Sequence, residues 1–203
     1  MEKKTKILAV GDIHGDTGLV KRLAKRAKDE KVDLVILAGD LTLAESSLTN
    51  LIGPFIKENK QVLIIPGNHE SEETIKFLAE KYPNTKNIHG YSIRKGNLGI
   101  FGSGTIDWGA DGAESKKIFR ELDKANKYLG ETKKKIMVTH MHPRDSNSEF
   151  TGFVGSSAVK KAIKQFHPDI AICAHIHEAG GLIEEIGKTT VIHVARTAAI
   201  FEI

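Results

Sequence analysis

The chain has little of several features that would assign it to a familiar class. Cys173 is its only cysteine, so no internal disulfide framework exists. Its setting in IAICAH reads as that of a small buried apolar residue, and the expected compartment is the cytoplasm. No window approaches 18 uncharged apolar residues, which excludes a transmembrane span and removes the membrane as an expected partner. The start, MEKKTKILAV, lacks the long apolar core and small-residue cleavage site of a secretory leader. There is little excess charge of either sign, with 30 Lys and Arg against 26 Asp and Glu for a net +4. The runs at Lys133–Lys135 and Lys160–Lys161 read as solvated faces. Neither has the aromatic interleaving of a nucleic-acid footprint, so nucleic acid is not a favoured partner. No repeat, low-complexity stretch or linker divides the 203 residues, of which 40% are apolar. One domain over residues 1–203 is expected, with homo-oligomerisation left open.

What the chain does have is strand and helix signals in alternation. Lys6–Val10, Leu34–Ala38 and Val62–Ile65 are near-continuous apolar runs, as expected of strands covered on both faces. Thr17–Glu30 carries apolar residues at helical spacing, and Ala44–Asn59 reads as a second helix interrupted at Gly53–Pro54. Ser71–Lys81 opens with a capping serine and has Glu72 and Glu73 in its first turn. The second half predicts strands at Tyr91–Arg94, Leu98–Ser103, Ile136–Thr139 and Ile170–Ala174, with helices over Ala113–Leu129 and Ser156–Phe166. The tail, Leu182–Ile186, Thr190–Val194 and Ala198–Glu202, predicts antiparallel strands turning at Gly187–Lys188. The fold class expected is α/β, a sandwich of two mixed β-sheets flanked by helices.

Five of the apolar runs end in metal-ligand chemistry. They are ILAVGDIHGD (Asp12, His14), LVILAGD (Asp40), VLIIPGNHE (Asn68, His69), IMVTH (His140) and IAICAHIH (His175, His177). Strand ends are fixed points with an open rim, where ligands from several strands can hold metals and leave room for substrate. In an extended chain residues i and i+2 point the same way, so Asp12 and His14 can share one ion, and His175 and His177 one site. The Asp40 carboxylate can bridge two ions, and Asn68 adds a neutral oxygen. Oxygen and imidazole donors without thiolate suit Mn, Fe, Zn, Ni or Co. Seven ligands exceed one tetrahedral ion and match two divalent ions sharing Asp40. Two such ions bring four positive charges, of which Asp12, Asp40 and one bridging hydroxide cancel three. The remainder attracts an anionic phosphoester. His69, next to a ligand and not itself one, is placed to act as a general acid.

In this order the motifs D-x-H, G-D, G-N-H-E, a lone His after a strand and A-H-x-H resemble the calcineurin-like metallophosphoesterase family, small prokaryotic type. The resemblance spans Ile7 to His177. It implies the same sandwich fold and hydrolysis of a small phosphoester at a dinuclear centre. It also implies that Asp12, His14, Asp40 and His177 hold the first metal, and Asp40, Asn68, His140 and His175 the second. His69 would be the catalytic histidine beside the phosphate. Three positions depart from the family pattern. They are Ala174 where Gly usually opens the last motif, Glu70 where Asp is commoner, and IHVART where many relatives have Asn-Pro-Gly. The methyl of Ala174 is expected close to the metals.

The loop HPRDSNSEFTGFVG follows His140, and in it Arg144 is the guanidinium best placed to meet a phosphate. Asn68, His69 and Arg144 are therefore the expected substrate contacts. The competing reading pairs Arg144 with Asp145 or Glu149. Asp107 and Trp108, after the SGTI turn, read first as ordinary loop packing and second as support of the rim. His89, His142, His167 and His193 fall outside the constellation. Two function classes follow: a dinuclear phosphohydrolase favouring diesters over monoesters, or a non-catalytic scaffold of the same fold. The intact set of ligands with His69 favours the enzyme.

Overall fold

A computed structural model describes residues 4–203. Eleven strands form two facing sheets. The first holds β1 (Lys6–Val10), β2 (Leu34–Ala38), β3 (Gln61–Ile65), β4 (Thr85–Asn87) and β11 (Ala199–Glu202), in the order β11-β1-β2-β3-β4. The second holds β5 (Ser92–Lys95), β6 (Leu98–Ser103), β7 (Lys134–Thr139), β8 (Ile170–Cys173), β9 (Ile183–Ile186) and β10 (Thr189–His193), in the order β5-β6-β7-β8-β10-β9. β1 to β4 run parallel, as do β6, β7, β8 and β10, and the edge strands β5, β9 and β11 run antiparallel, so both sheets are mixed.

The apolar runs are continuous because each sheet is covered twice. In the first sheet Leu8, Val10, Val35, Leu37, Val62 and Ile64 face helices α1 (Thr17–Asp29), α2 (Gly53–Lys57) and α3 (Glu72–Lys81). The alternate residues Ile7, Ala9, Leu34, Ile36, Leu63 and Ile65 face the second sheet's Ile100, Ile136, Val138, Ile172 and Ile192. The far side of the second sheet packs Phe101, Met137 and Cys173 on α4 (Ala113–Leu129) and α5 (Ser157–Phe166). Cys173 is fully buried. Three helices carry side-chain caps. Asp16 accepts from Leu19 N at 2.8 Å, and Ser71 and Ser156 cap α3 and α5 from Thr74 N and Val159 N.

Two expectations are corrected. Residues 44–52 are a loop, and the helix begins only at Gly53. Ala44, Glu45 and Asn50 adopt φ of 48°, 56° and 60°, outside any helix, while Leu51 and Ile52 plug the core from the loop. The last strand does not extend the tail hairpin. β11 crosses to the first sheet, where Ala199 pairs with Ala9 and Glu202 with Lys6. The short β4, which has no apolar residue, was not expected from the pattern. Among the described residues no helix is long and apolar enough to cross a membrane.

Candidate metal centre

The parallel cores of the two sheets finish at a common rim. Backbone and side-chain bonds tie it across: Gly11 N donates to Val194 O at 2.9 Å, His175 N to Asp12 Oδ2 at 2.9 Å, and His140 Nδ1 to Ala38 O at 2.8 Å. The first sheet contributes Asp12, His14, Asp40, Asn68 and His69, and the second contributes His140, His175 and His177. The strands stop short of these residues, and Asp12, His14, Asp40 and His175 all take left-handed backbone, with φ of 54°, 47°, 51° and 75°. Such conformations cost non-glycine residues about 1–2 kcal/mol each and persist where the surroundings fix them. The alternation expected of an extended chain therefore does not apply, and His175 and His177 part company.

Three groups of possible donors result: Asp12 with His14 and His177, Asp40 with His140 and His175, and His14 with Asp40 and His69. His14 Nε2 lies 3.0 Å from His177 Nε2, and Asp12 Oδ1 lies 3.3 Å from His177 Nε2. Asp40 Oδ2 lies 3.7 Å from His14 Nε2, 3.5 Å from His140 Nε2 and 3.9 Å from His69 Nε2. It is this one oxygen that faces both sides, because Oδ1 accepts from His69 N at 3.0 Å. Asn68 stands exposed on the turn after β3, and its side chain takes no hydrogen bond from the described residues.

The donor set fits divalent cations. Asp12 Oδ1 and His140 Nε2 are buried and have no hydrogen-bond partner, which is costly unless a ligand serves them. Two imidazole nitrogens 3.0 Å apart match ligands about 2.1 Å from one ion at a right angle. His140 donates its other ring N–H to a carbonyl, the usual way of orienting a metal-binding histidine. Room is left by glycines: a Cβ on Gly39 would lie 2.5 Å from His140 Nδ1, and one on Gly67 2.1 Å from Asp40 Oδ1. The methyl of Ala174 packs instead against Gly11, where an added Cβ would meet it at 2.6 Å.

Without metal, Asp40 and His140 support each other's charge. Burial pushes Asp40 up, but the positive charge of His140, 3.5 Å away, and the hydrogen bond from His69 N outweigh it and hold the carboxyl at about 2. Burial pushes His140 down, but Asp40 and Asp12 lift it to about 9. His175 is driven by burial, then by the His140 charge, to about 4 and is neutral at pH 7, with a free lone pair. A cation taken up by His140 Nε2 would have to displace that proton.

The loop that replaces the expected helix positions His69. Ala44 N donates to His69 Nδ1 at 3.1 Å, so a neutral ring carries its proton on Nε2, the nitrogen facing Asp40. The same turn explains Glu70, a buried carboxylate. Its Oε2 accepts from Asp40 N and Gly67 N, both at 3.0 Å, and its Oε1 from Thr42 N at 2.7 Å and Thr42 Oγ at 2.9 Å. The shorter Asp would not span these partners. Glu70→Ala leaves three buried N–H groups unpaired and should cost about 3–5 kcal/mol at 1–3 per orphaned group, partly relieved by water. The chelated protein's thermal midpoint should fall by roughly 6–20 °C. A fall of less than about 2 °C would mean that the loop does not depend on Glu70.

Arg144 is engaged with neighbouring loops. It donates to Asp111 Oδ2 at 2.9 Å, to Gly109 O, and to Gly155 O at 3.4 Å. Its carboxylate partner is therefore Asp111, 33 residues upstream, and not Asp145 or Glu149; Asp145 is taken by Lys160. What Arg144 clasps is the loop carrying Trp108, which stands 67% exposed with its ring 5.4 Å from that of His175. Ordinary loop packing does not describe such an indole. The sequence offered only the pair Trp108–Gly109 in a loop as a signal. Arg196, also passed over, hydrogen-bonds to Gly11 O through its backbone, and its guanidinium is 3.9 Å from Asp16. Glu72, His89 and Glu121 form a further cluster. There Gly104 N donates to His89 Nδ1, so Nε2 bears the proton and faces the carboxylates as a donor, with Lys117 alongside. His142 and His193 are buried and in none of the donor groups, and His142 Nε2 donates to Phe153 O.

Comparison with known proteins agrees with this geometry. A family model described as calcineurin-like phosphoesterase matches residues 5–179. The chain is 27% identical to the uncharacterized protein MJ1162 of Methanocaldococcus jannaschii, over 95% of this chain and 89% of that one. The solved structure of TT1561 from Thermus thermophilus superposes with a TM-score of 0.77 at 18% identity, covering 95% of this chain and 90% of its own. A structure described as a novel archaeal phosphodiesterase superposes with a TM-score of 0.58 at 17% identity, covering 98% and 99%.

Proposed function

The chain belongs to the calcineurin-like phosphoesterases, a family of metal-dependent hydrolases of phosphoesters, and from that premise we propose that it is a dinuclear phosphohydrolase preferring diesters, with His69 as general acid. Asp12, His14, Asp40 and His177 would hold one ion, and Asp40, Asn68, His140 and His175 the other, with Asp40 common to both sets. When bound, the ions supply a Lewis acid for the phosphoryl group and an activated water. The chain's own residues do the rest. Asn68 and His69, side by side on the turn after β3, meet the phosphoester from the open rim. His69 gives the proton on Nε2 to the departing oxygen; the imidazolate left behind is held by the Ala44 N–H at Nδ1 and takes a proton back from solvent at the open rim. The observation carrying this reading is that hydrogen bond of 3.1 Å, which makes His69 Nε2 a donor and not a metal ligand.

The diester preference follows from what the rim lacks. A monoester carries nearly two negative charges and needs several donors on its terminal oxygens. Arg144, the guanidinium expected to provide them, is already bound to Asp111, Gly109 and Gly155. A diester carries one charge and leaves as a poorer alkoxide, which gains most from the His69 proton. The similar archaeal structure described as a phosphodiesterase supports the same side. The test compares kcat/KM for bis(p-nitrophenyl) phosphate and p-nitrophenyl phosphate in Mn²⁺ and Ni²⁺ near pH 8. The diester should be favoured under both metals. Consistent preference for the monoester would reverse the assignment and point to Arg196 as a dianion clamp.

A further inference from the structure

Trp108 combines features that the proposed chemistry does not use. Its indole is 67% exposed, and the ring contact it makes is the T-shaped one with His175, 5.4 Å between centroids and 68° between planes. Its backbone is left-handed, with φ of 51°, which a bulky residue adopts only under constraint, and Gly109 continues the turn at φ of 72°. The constraint is visible. Asp107, 3% exposed, accepts from Ser156 Oγ at 2.6 Å and from Gly109 N at 3.1 Å, and Ala110 N donates to Asp107 O at 2.8 Å. Arg144 closes the far side of the turn through Gly109 O and Asp111. A buried carboxylate and a fully engaged guanidinium thus hold a large apolar ring out in water, at the lip of the metal centre. Neither the strain nor the exposure serves the core. Val154, itself half exposed, abuts Gly109 and extends the apolar lip.

We propose that Trp108 is the specificity-determining residue of this centre, a fixed platform on which the nucleobase of a nucleotide phosphoester stacks while its phosphate sits at the metals. The proposal rests on the phosphoesterase reading above and narrows its substrate class. His175 links the two parts, since one ring joins the donor group of Asp40 and His140 and meets the indole. A flat π-face in open solvent suits any base, so the preference is for the class and not for one base.

Trp108 is the only tryptophan of the chain, so intrinsic emission reports on it alone. Zn²⁺-loaded protein is titrated with AMP and with ribose 5-phosphate, which share the phosphate and sugar and differ in the base. AMP should quench the emission saturably, ribose 5-phosphate should not, and calorimetry should give AMP a roughly 5- to 100-fold tighter Kd. In Trp108→Ala the ratio of the two Kd values should collapse toward one, and Trp108→Phe should keep part of it. Equal affinities in the wild type, or an unchanged ratio in Trp108→Ala, would overturn the platform while leaving the phosphoesterase reading standing. Binding of neither compound to the loaded protein would overturn the platform, while the phosphoesterase reading is judged separately by turnover of bis(p-nitrophenyl) phosphate.

Discussion

His69→Ala should keep its metals and lose on the order of 10²–10⁴ in kcat, the range expected when a positioned general acid is removed. The structure gives this expectation its direction. Ala44 N–H occupies Nδ1, so the ring presents a proton at Nε2 and not a lone pair, and a cation gains nothing from it. The side chain is part exposed at the rim, so its removal leaves no buried cavity. The loss should depend on the leaving group. An ester that departs as p-nitrophenolate needs little protonation and should suffer less than one leaving as an alkoxide. If both substrates slow equally, His69 only binds the phosphate. If metal analysis finds the variant emptied, His69 is a ligand and the tautomer argument is wrong.

Asp40→Ala should be more severe, abolishing measurable turnover and depleting both ions, while Asn68→Ala should mainly weaken one. Asp40 Oδ2 lies within 3.5–3.9 Å of the Nε2 atoms of His14, His69 and His140, and Asp40 is the carboxylate that belongs to two of the rim's donor groups among the described residues. Its removal also takes away the counter-charge that lifts His140 to about 9, so part of the damage is to the empty site. Asn68, exposed on its turn, offers one neutral oxygen and holds nothing else in place. Metal content per chain, measured on fully loaded wild type and both variants, decides the matter. A wild type saturating at one ion would rule out the bridge.

Where local chemistry sufficed, the sequence was readable. β1, β2 and β6 and the helix Ala113–Leu129 fall where the apolar runs and helical spacing put them, because each segment's pattern matches the layer covering it. The ligand-type residues were readable for the same reason, each ending a run. The misreadings are non-local. The stretch 44–52 looks helical because Leu51 and Ile52 are apolar, yet three left-handed residues and the demands of His69 and Glu70 decide its path. Nothing in Ala198–Glu202 says which sheet it joins, since both offer an apolar edge. The partners of Arg144 and the stance of Trp108 depend on contacts between two loops that meet only in the folded chain.

The seam between the two sheets has a thermodynamic consequence. Asp12, His14 and Asp40 belong to one sheet, and His140, His175 and His177 to the other, so any ion they hold in common rivets the layers at one end. An ion that binds the folded chain alone adds RT ln(1 + [M]/Kd) to its stability, about 2.7 kcal/mol at a free concentration roughly one hundred times Kd. That is a sizeable part of what holds a domain folded. Occupancy and rigidity thereby become one variable. Chelation should therefore remove the chemistry and also loosen the end of the sandwich where left-handed turns and unpaired buried polar atoms gather, an expected lowering of the thermal midpoint on metal removal.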